Sequence, residues 1–216
     1  LLKKYHITLY VLRSKKIIRN NIQSKARTVR YNLITNFCKK KNIKTILTAH
    51  NLEDQVETFF IRLSRGSGLQ GLSSMKQIHK IDHNISLIRP LLDYKKKQLI
   101  NISKIIFGKY FKDPTNKNTK YLRTRIRNLK TPLETSGINY DKIFQSIKNL
   151  ASSRDTLNYY FGEIYKDIII KKKDKVFINL KKFNNINQEM KMLVLKKTIK
   201  DFTNSYYTTR SKKITN

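Results

Sequence analysis

Apolar residues recur at Ala26, Val29, Leu33, Ile34 and Phe37, the three-and-four spacing of one helical face, and predict a helix over 23–41. A second such set, Leu52, Val56, Phe59, Phe60 and Leu63, predicts a helix over 52–64. Between them, residues 45–49 read Thr-Ile-Leu-Thr-Ala, a short apolar run with polar flanks that fits a buried parallel strand. Upstream, residues 6–12 are rich in β-branched and aromatic side chains and predict a further strand. Strand, helix, strand, helix in this order argues for an α/β domain built on a parallel sheet. Cys38 follows Ile34 by four residues and reads as a buried packing residue rather than a nucleophile.

Three of the six glycines, Gly66, Gly68 and Gly71, crowd one short stretch. That density marks a loop whose backbone is closely approached or takes positive φ, with Gly71 reading as a turn rather than a contact. Residues 87–90 predict a short strand ended by Pro90, residues 94–107 a helix, and Asp113-Pro114-Thr115-Asn116 a turn. Arg123, Arg125 and Arg127 then stand at i, i+2 and i+4. Beyond Pro132 there is no further proline, and the pattern predicts helices over 141–164 and 187–200, with 176–180 a strand or a connector. The expected organisation is a first domain over 1–131, a smaller helical domain over 132–204 and a polar, frayed tail over 205–216.

Charge changes the picture. The 216 residues carry 47 Lys and Arg against 14 Asp and Glu, a formal +33. Self-repulsion on that scale points to a bound polyanion, nucleic acid first, although 35 Lys against 12 Arg also fits codon usage in an AT-rich genome. With 39 % hydrophobic residues, including 12 Tyr and 10 Phe, the chain can build a core. No apolar run is long enough to cross a bilayer, and the apolar stretch after Lys3 and Lys4 is too short for a secretory signal. A single cysteine excludes an intramolecular disulfide and a Cys-based zinc site, so a reducing, intracellular compartment is expected. The sequence opens on Leu1 rather than Met, so a fragment, an unusual start or a missing upstream segment is expected.

The stretch with chemical content reads Thr48-Ala49-His50-Asn51-Leu52-Glu53-Asp54-Gln55-Val56-Glu57-Thr58. At 100° per residue, His50, Asp54 and Glu57 fall within about 60° of one another, opposite the apolar face. An imidazole and two carboxylates thus converge where a strand meets a helix N-terminus, a place that suits anions. The carboxylates there suit Mg²⁺ on nucleotide phosphates, or proton abstraction from an attacking amine. A plainer reading stands beside this one: Asn51 is a good N-cap, and the helix dipole alone favours acidic residues in a first turn.

Residues 48–75, TAHNLEDQVETFFIRLSRGSGLQGLSSM, resemble the second signature of the tRNA(Ile)-lysidine synthase family, within the PP-loop ATP pyrophosphatase superfamily. KARTVRY at 25–31, LIRPLL at 87–92, and DPTN at 113–116 followed by YLRTRIRN at 121–128 resemble further family segments, in the family's order. Thr124 stands where that family usually has Asn. The family's first signature, SGGxDS, has no counterpart, since no Ser-Gly-Gly occurs in the sequence. The expectation is therefore a Rossmann-like, adenine nucleotide alpha hydrolase-like domain, N-terminally incomplete and lacking its first strand and phosphate loop. This chain alone is expected not to bind ATP productively.

The resemblance implies an ATP-dependent ligase that joins L-lysine to C2 of the wobble cytidine in a CAU-anticodon tRNA(Ile), through an adenylated cytidine, changing codon reading from AUG to AUA. It implies ATP and Mg²⁺ as cofactors. Asp54 would bind metal and, with Glu57 and Arg123, act in catalysis. His50 and Arg30 would contact the nucleotide, while Arg65, Gly66, Ser67, Gly68, Arg125 and Arg127 would contact the tRNA or its cytidine. No membrane partner is implied, a homodimer is one option for assembly, and the compartment is a bacterial cytoplasm or an organelle matrix or stroma. Two rivals stand at this point. A tRNA thiolase would typically use cysteines, of which Cys38 is the sole example. A non-catalytic basic RNA-binding remnant would have lost its ATP-binding loop.

Overall fold

A computed structural model describes residues 2–14, 22–111, 119–172, 175–203 and 214. Its contacts gather into two compact units, one of Leu1–Asn51 with Lys76–Tyr94, the other of Leu52–Met75 with Lys95–Asn216. Neither unit ends at residue 131.

In the first unit, helix α1 (Ile22–Lys40) carries the predicted apolar face, and Cys38 at its end is buried. Burial pushes the Cys38 thiol above its ordinary pKa, which suits packing and not nucleophilic attack. Asn42 takes φ 55 just past the helix, a conformation Asn tolerates, and the Ile43 N–H returns to the Cys38 carbonyl at 2.8 Å. Strand β1 (Thr45–Leu47) pairs in parallel with β3 (Ile85–Ile88), and β2 (Ile78–Asp82) pairs antiparallel with β3. Ile85 and Leu87 of the central strand are the buried apolar residues of this sheet.

Three expectations need correction here. Residues 6–12 form no strand: Ile7, Leu9, Tyr10 and Val11 are exposed and join no ladder among the described residues. Their β-propensity had no partner strand to act on, and propensity in a sheet is mostly a matter of what it packs against. β1 is parallel as expected but not buried, since Thr45 and Leu47 are exposed. The sheet is mixed, because the polar-rich β2 adds an antiparallel edge. The turn at 113–116 lies outside the described residues, as does all but residue 214 of the tail.

The second unit is mostly helical. It runs α2 (Leu52–Leu63), α3 (Leu69–Leu72), α4 (Lys96–Phe107), α5 (Leu122–Asn128), α6 (Lys130–Thr135) and α7 (Tyr140–Ile168). The hairpin β4 (Ile169–Lys172) and β5 (Lys175–Ile178) follows, then α8 (Leu180–Asn184) and α9 (Gln188–Phe202). Asn139, Asn179 and Asn187 cap α7, α8 and α9, each accepting a backbone N–H in the first turn. One core joins Leu52 and Val56 of α2 to Tyr140, Ile143, Phe144 and Ile147 of α7. Another joins Phe161, Tyr165, Ile168 and Ile169 to Met190 and Val194 of α9. Among the described residues, no helix is long and apolar enough to cross a membrane.

Ile147 is 2 % exposed and Ile105 is 83 % exposed. Ile147→Ala is expected to cost about 2–5 kcal/mol, transfer and cavity terms together, and Ile105→Ala to stay within about 0.5 kcal/mol. Urea unfolding of the two variants checks both numbers.

Candidate functional site

Helix α2 begins at Leu52 and places Leu52, Val56 and, in part, Phe59 and Phe60 against α7. That orientation turns Asp54 and Glu57 away from the apolar core and toward α5. Glu57 is 1 % exposed, and two guanidinium groups close over it. Arg123 Nε donates to one carboxylate oxygen at 2.8 Å; Arg127 Nε donates to the other at 2.7 Å, and its Nη2 reaches the first at 3.1 Å. Asp54 keeps 22 % of its side chain exposed and meets Arg123 Nη2 at a looser 3.4 Å. The four groups balance to zero formal charge, which is what a half-dry site demands of ionised side chains. The hydrogen bonds it donates to Glu57 hold the Arg127 guanidinium above its ordinary range.

The loop after α2 is fixed by side chains that the sequence reading did not single out. Gln55 brackets Met75, accepting its N–H at 2.8 Å and donating to its carbonyl at 2.9 Å. Arg62 Nη1 donates to the carbonyls of Gly71 and Ser74 at 2.7 and 2.9 Å. Arg154 of α7 donates to Ser73 Oγ at 2.8 Å. Gly71 is compelled: a Cβ there would lie 2.6 Å from the Ser67 Cβ. Gly66 takes φ 65, a left-handed turn that favours glycine. Arg65, Gly66 and Gly68 are exposed and Ser67 is half-buried. The backbone N–H groups of Arg65, Gly66 and Ser67 turn back onto the carbonyls of Arg62 and Leu63, so what the loop offers to solvent there is chiefly the Arg65 side chain. The signal for its clamps was Gln55 and Arg62, polar residues on a helix whose remaining inward positions are apolar or acidic.

In the first unit, His50 Nδ1 lies 2.9 Å from Thr48 Oγ1, and Arg30 is exposed on α1. The chain passes from the first unit to the second between Asn51 and Leu52, so the signature straddles that division. Arg125, exposed on α5, is the arginine of the three turned to solvent.

A family model described as a PP-loop domain matches residues 1–134. The chain belongs to the PP-loop family. A tRNA(Ile)-lysidine synthase of Wolbachia pipientis wMel is 32 % identical over 197 residues, covering 91 % of this chain and 46 % of that protein. Another from Orientia tsutsugamushi (strain Boryong) is 43 % identical over 130 residues, 59 % of this chain and 28 % of that protein. The chain thus spans less than half the length of these two relatives. Among solved structures, the U34-tRNA thiolase NcsA from Methanococcus maripaludis, with its [4Fe-4S] cluster, superposes with a TM-score of 0.54 at 16 % identity, covering 70 % of this chain and 53 % of that one. At that identity the likeness supports the Rossmann-like PP-loop fold alone.

The donor set tests the Mg²⁺ implied for PP-loop chemistry. Both Glu57 oxygens are engaged by guanidinium groups, and among the described residues no cluster of three or more His, Cys, Asp or Glu stands ready for a metal. Asp54, partly open, fits the one-carboxylate mode in which Mg²⁺ takes its other ligands from phosphates and water. Glu57 fits the anchoring of arginines instead.

Tyr140 packs beside this network, and its hydroxyl is buried with no hydrogen-bond partner among the described residues. Burial first, and then the Glu57 charge, push its pKa up to about 12. A phenol pKa raised in the folded state contributes stability that is intact below the unfolded value, near 10, and is lost as pH rises through about 12. Tyr140→Phe is expected to match or exceed the parent stability at pH 7, since it removes an unsatisfied hydroxyl. It is also expected to lose less between about pH 10 and 12. Thermal melts of both proteins across that range check it; parallel losses would contradict the assignment.

Proposed function

We propose that this chain is the PP-loop part, with adjoining helices, of a tRNA(Ile)-lysidine synthase. Residues up to 131 carry the nucleotide chemistry and 132–204 contact tRNA. The observation that carries the reading is the division of labour between two carboxylates one helical turn apart. Glu57 is sealed beneath two arginines, whereas Asp54 stays accessible beside one of them. This pair lies in the segment that the PP-loop domain matches, and a protein named tRNA(Ile)-lysidine synthase is similar over 91 % of this chain.

The reaction asks for two things. Pyrophosphate must leave as the cytidine O2 attacks the α-phosphate of ATP, and a neutral lysine ε-amine must then attack C2 and expel AMP. Arg123 suits the first need: Glu57 fixes its Nε edge, and its Nη2 edge points to Asp54, so positive charge stands pre-oriented for phosphate oxygens. Asp54 suits the second, pairing with the incoming ammonium and taking its proton. Mg²⁺ held by Asp54 and the phosphates would add charge neutralisation at the leaving group. His50 and Arg30 serve the nucleotide, and the open loop Arg65-Gly66-Ser67-Gly68 with Arg125 serves the cytidine and its strand. Arg127, committed to Glu57 through Nε and Nη2, acts on RNA through the position of α5.

Labelled lysine tests the reading, in a protein that joins this chain to a Ser-Gly-Gly phosphate loop. Ligation is expected with a CAU-anticodon tRNA(Ile) and not with a transcript of another anticodon. Asp54→Asn is expected to lower turnover at least about 10²-fold, as for loss of a general base, while tRNA binding changes less than about twofold. Near-parental turnover in Asp54→Asn would refute the role, and equal ligation to both tRNAs would refute the substrate.

A further inference from the structure

The β4–β5 hairpin is built with two unlike faces. Ile169, Val176 and Ile178 turn inward onto the core made with Met190 and Val194 of α9. Lys171, on the same inward-facing register, is tied at 2.6 Å to Asp201. The Asn179 N–H closes the hairpin base on the Ile168 carbonyl at 2.9 Å. This half is anchored.

The outward face runs against the hairpin's own stability. Ile170 and Phe177 are a cross-strand pair, 57 % and 46 % exposed. The next pair along on that face is Lys172 opposite Lys175, and like charges directly across a ladder repel. Neither lysine has a carboxylate partner among the described residues, whereas Lys171 and Lys182 nearby do. Lys172 Nζ stands 5.4 Å from the Phe177 ring centroid. An apolar platform one base wide, beside two ammonium groups about 7 Å further along the strands that meet no carboxylate among the described residues, matches an unpaired nucleotide: base on ring, phosphates on lysines.

We infer that the outer face of this hairpin, Ile170 and Phe177 with Lys172 and Lys175, is a stacking platform for an unpaired base of the bound RNA. The inference rests on the tRNA reading above and adds a place of contact to it. The occupant is RNA because repulsion between the two lysines is relieved by phosphates, and because two apolar side chains are enough to stack a base but give a membrane little to hold.

The chain contains no tryptophan, so Phe177→Trp installs a sole tryptophan at the platform, excited selectively beyond the absorption of the 12 tyrosines. The full chain is titrated with a fluorescein-labelled CAU anticodon stem-loop for anisotropy, and with the unlabelled RNA for tryptophan emission. Emission is expected to be quenched in step with binding. Phe177→Leu, which keeps an apolar residue and so preserves the hairpin, is expected to bind about 5- to 100-fold more weakly, the range for losing one stacked base. Lys172→Gln with Lys175→Gln is expected to flatten the slope of log affinity against log salt by about 1.4, two single-strand contacts at about 0.7 each. RNA binding with unchanged emission, or equal binding by Phe177→Leu, would overturn the platform. So would a blue shift with phosphatidylglycerol vesicles in the absence of any response to RNA. Quenching of equal strength by stem-loops of other anticodons would support the platform and overturn the tRNA(Ile) reading, so the two fail separately.

Discussion

A carboxylate withdrawn from water must be met by charge, and in this protein Glu57 is met twice. Its two oxygens take Arg123 and Arg127, so α5 has one seating on α2, and everything α5 carries is placed by that seating. Removing one partner of such a pair leaves an uncompensated buried charge, which costs far more than an exposed ion pair contributes. The network is therefore a positional constraint more than a source of stability. Asp54 completes the charge balance at 3.4 Å from Arg123 and keeps partial access to solvent.

In the proposed reaction that arrangement would separate holding from reacting. The Gly-rich loop follows the same logic on a neutral footing: Gln55, Arg62 and Arg154 pin its inner carbonyls, amide and hydroxyl, leaving Arg65 to Gly68 open. Anchored in this way, the loop fixes where the exposed Arg65 leaves the backbone, and positive charge placed in advance needs less reorganisation as charge develops on a phosphate.

Much of this was legible in the sequence where one physical pattern dominates. The spacing of apolar residues marked α1, α2, α4, α7 and α9 to within a few residues; α1, α2, α7 and α9 bury or half-bury one face, whereas α4 buries no residue and leaves Ile105 exposed. The Gly66–Gly71 cluster announced its loop for steric reasons that the Gly71–Ser67 contact makes concrete. Residues 6–12 misled because β-branched residues signal a strand only if a neighbour pairs with them. β2 went unseen because Ile-His-Lys-Ile-Asp alternates too weakly, and β4 because Ile168, Ile169 and Ile170, past the predicted helix end at 164, form an unbroken apolar run with no period-two alternation to mark a strand. The helical wheel put Asp54 and Glu57 together but was blind to a partner 66 residues on. Arg123 and Arg127, one helical turn apart, held the missing signal: a pair of cations on one face looks for an anion.

A double-mutant cycle on Glu57→Gln and Arg127→Gln, read by urea unfolding, tests whether this buried network governs the structure. Each single change is expected to cost about 2 kcal/mol or more, and the pair less than the sum by at least about 1 kcal/mol, because the second change removes a charge already left without its partner. Losses that add to within about 0.5 kcal/mol would mean that Glu57 and Arg127 act independently, and would contradict the account.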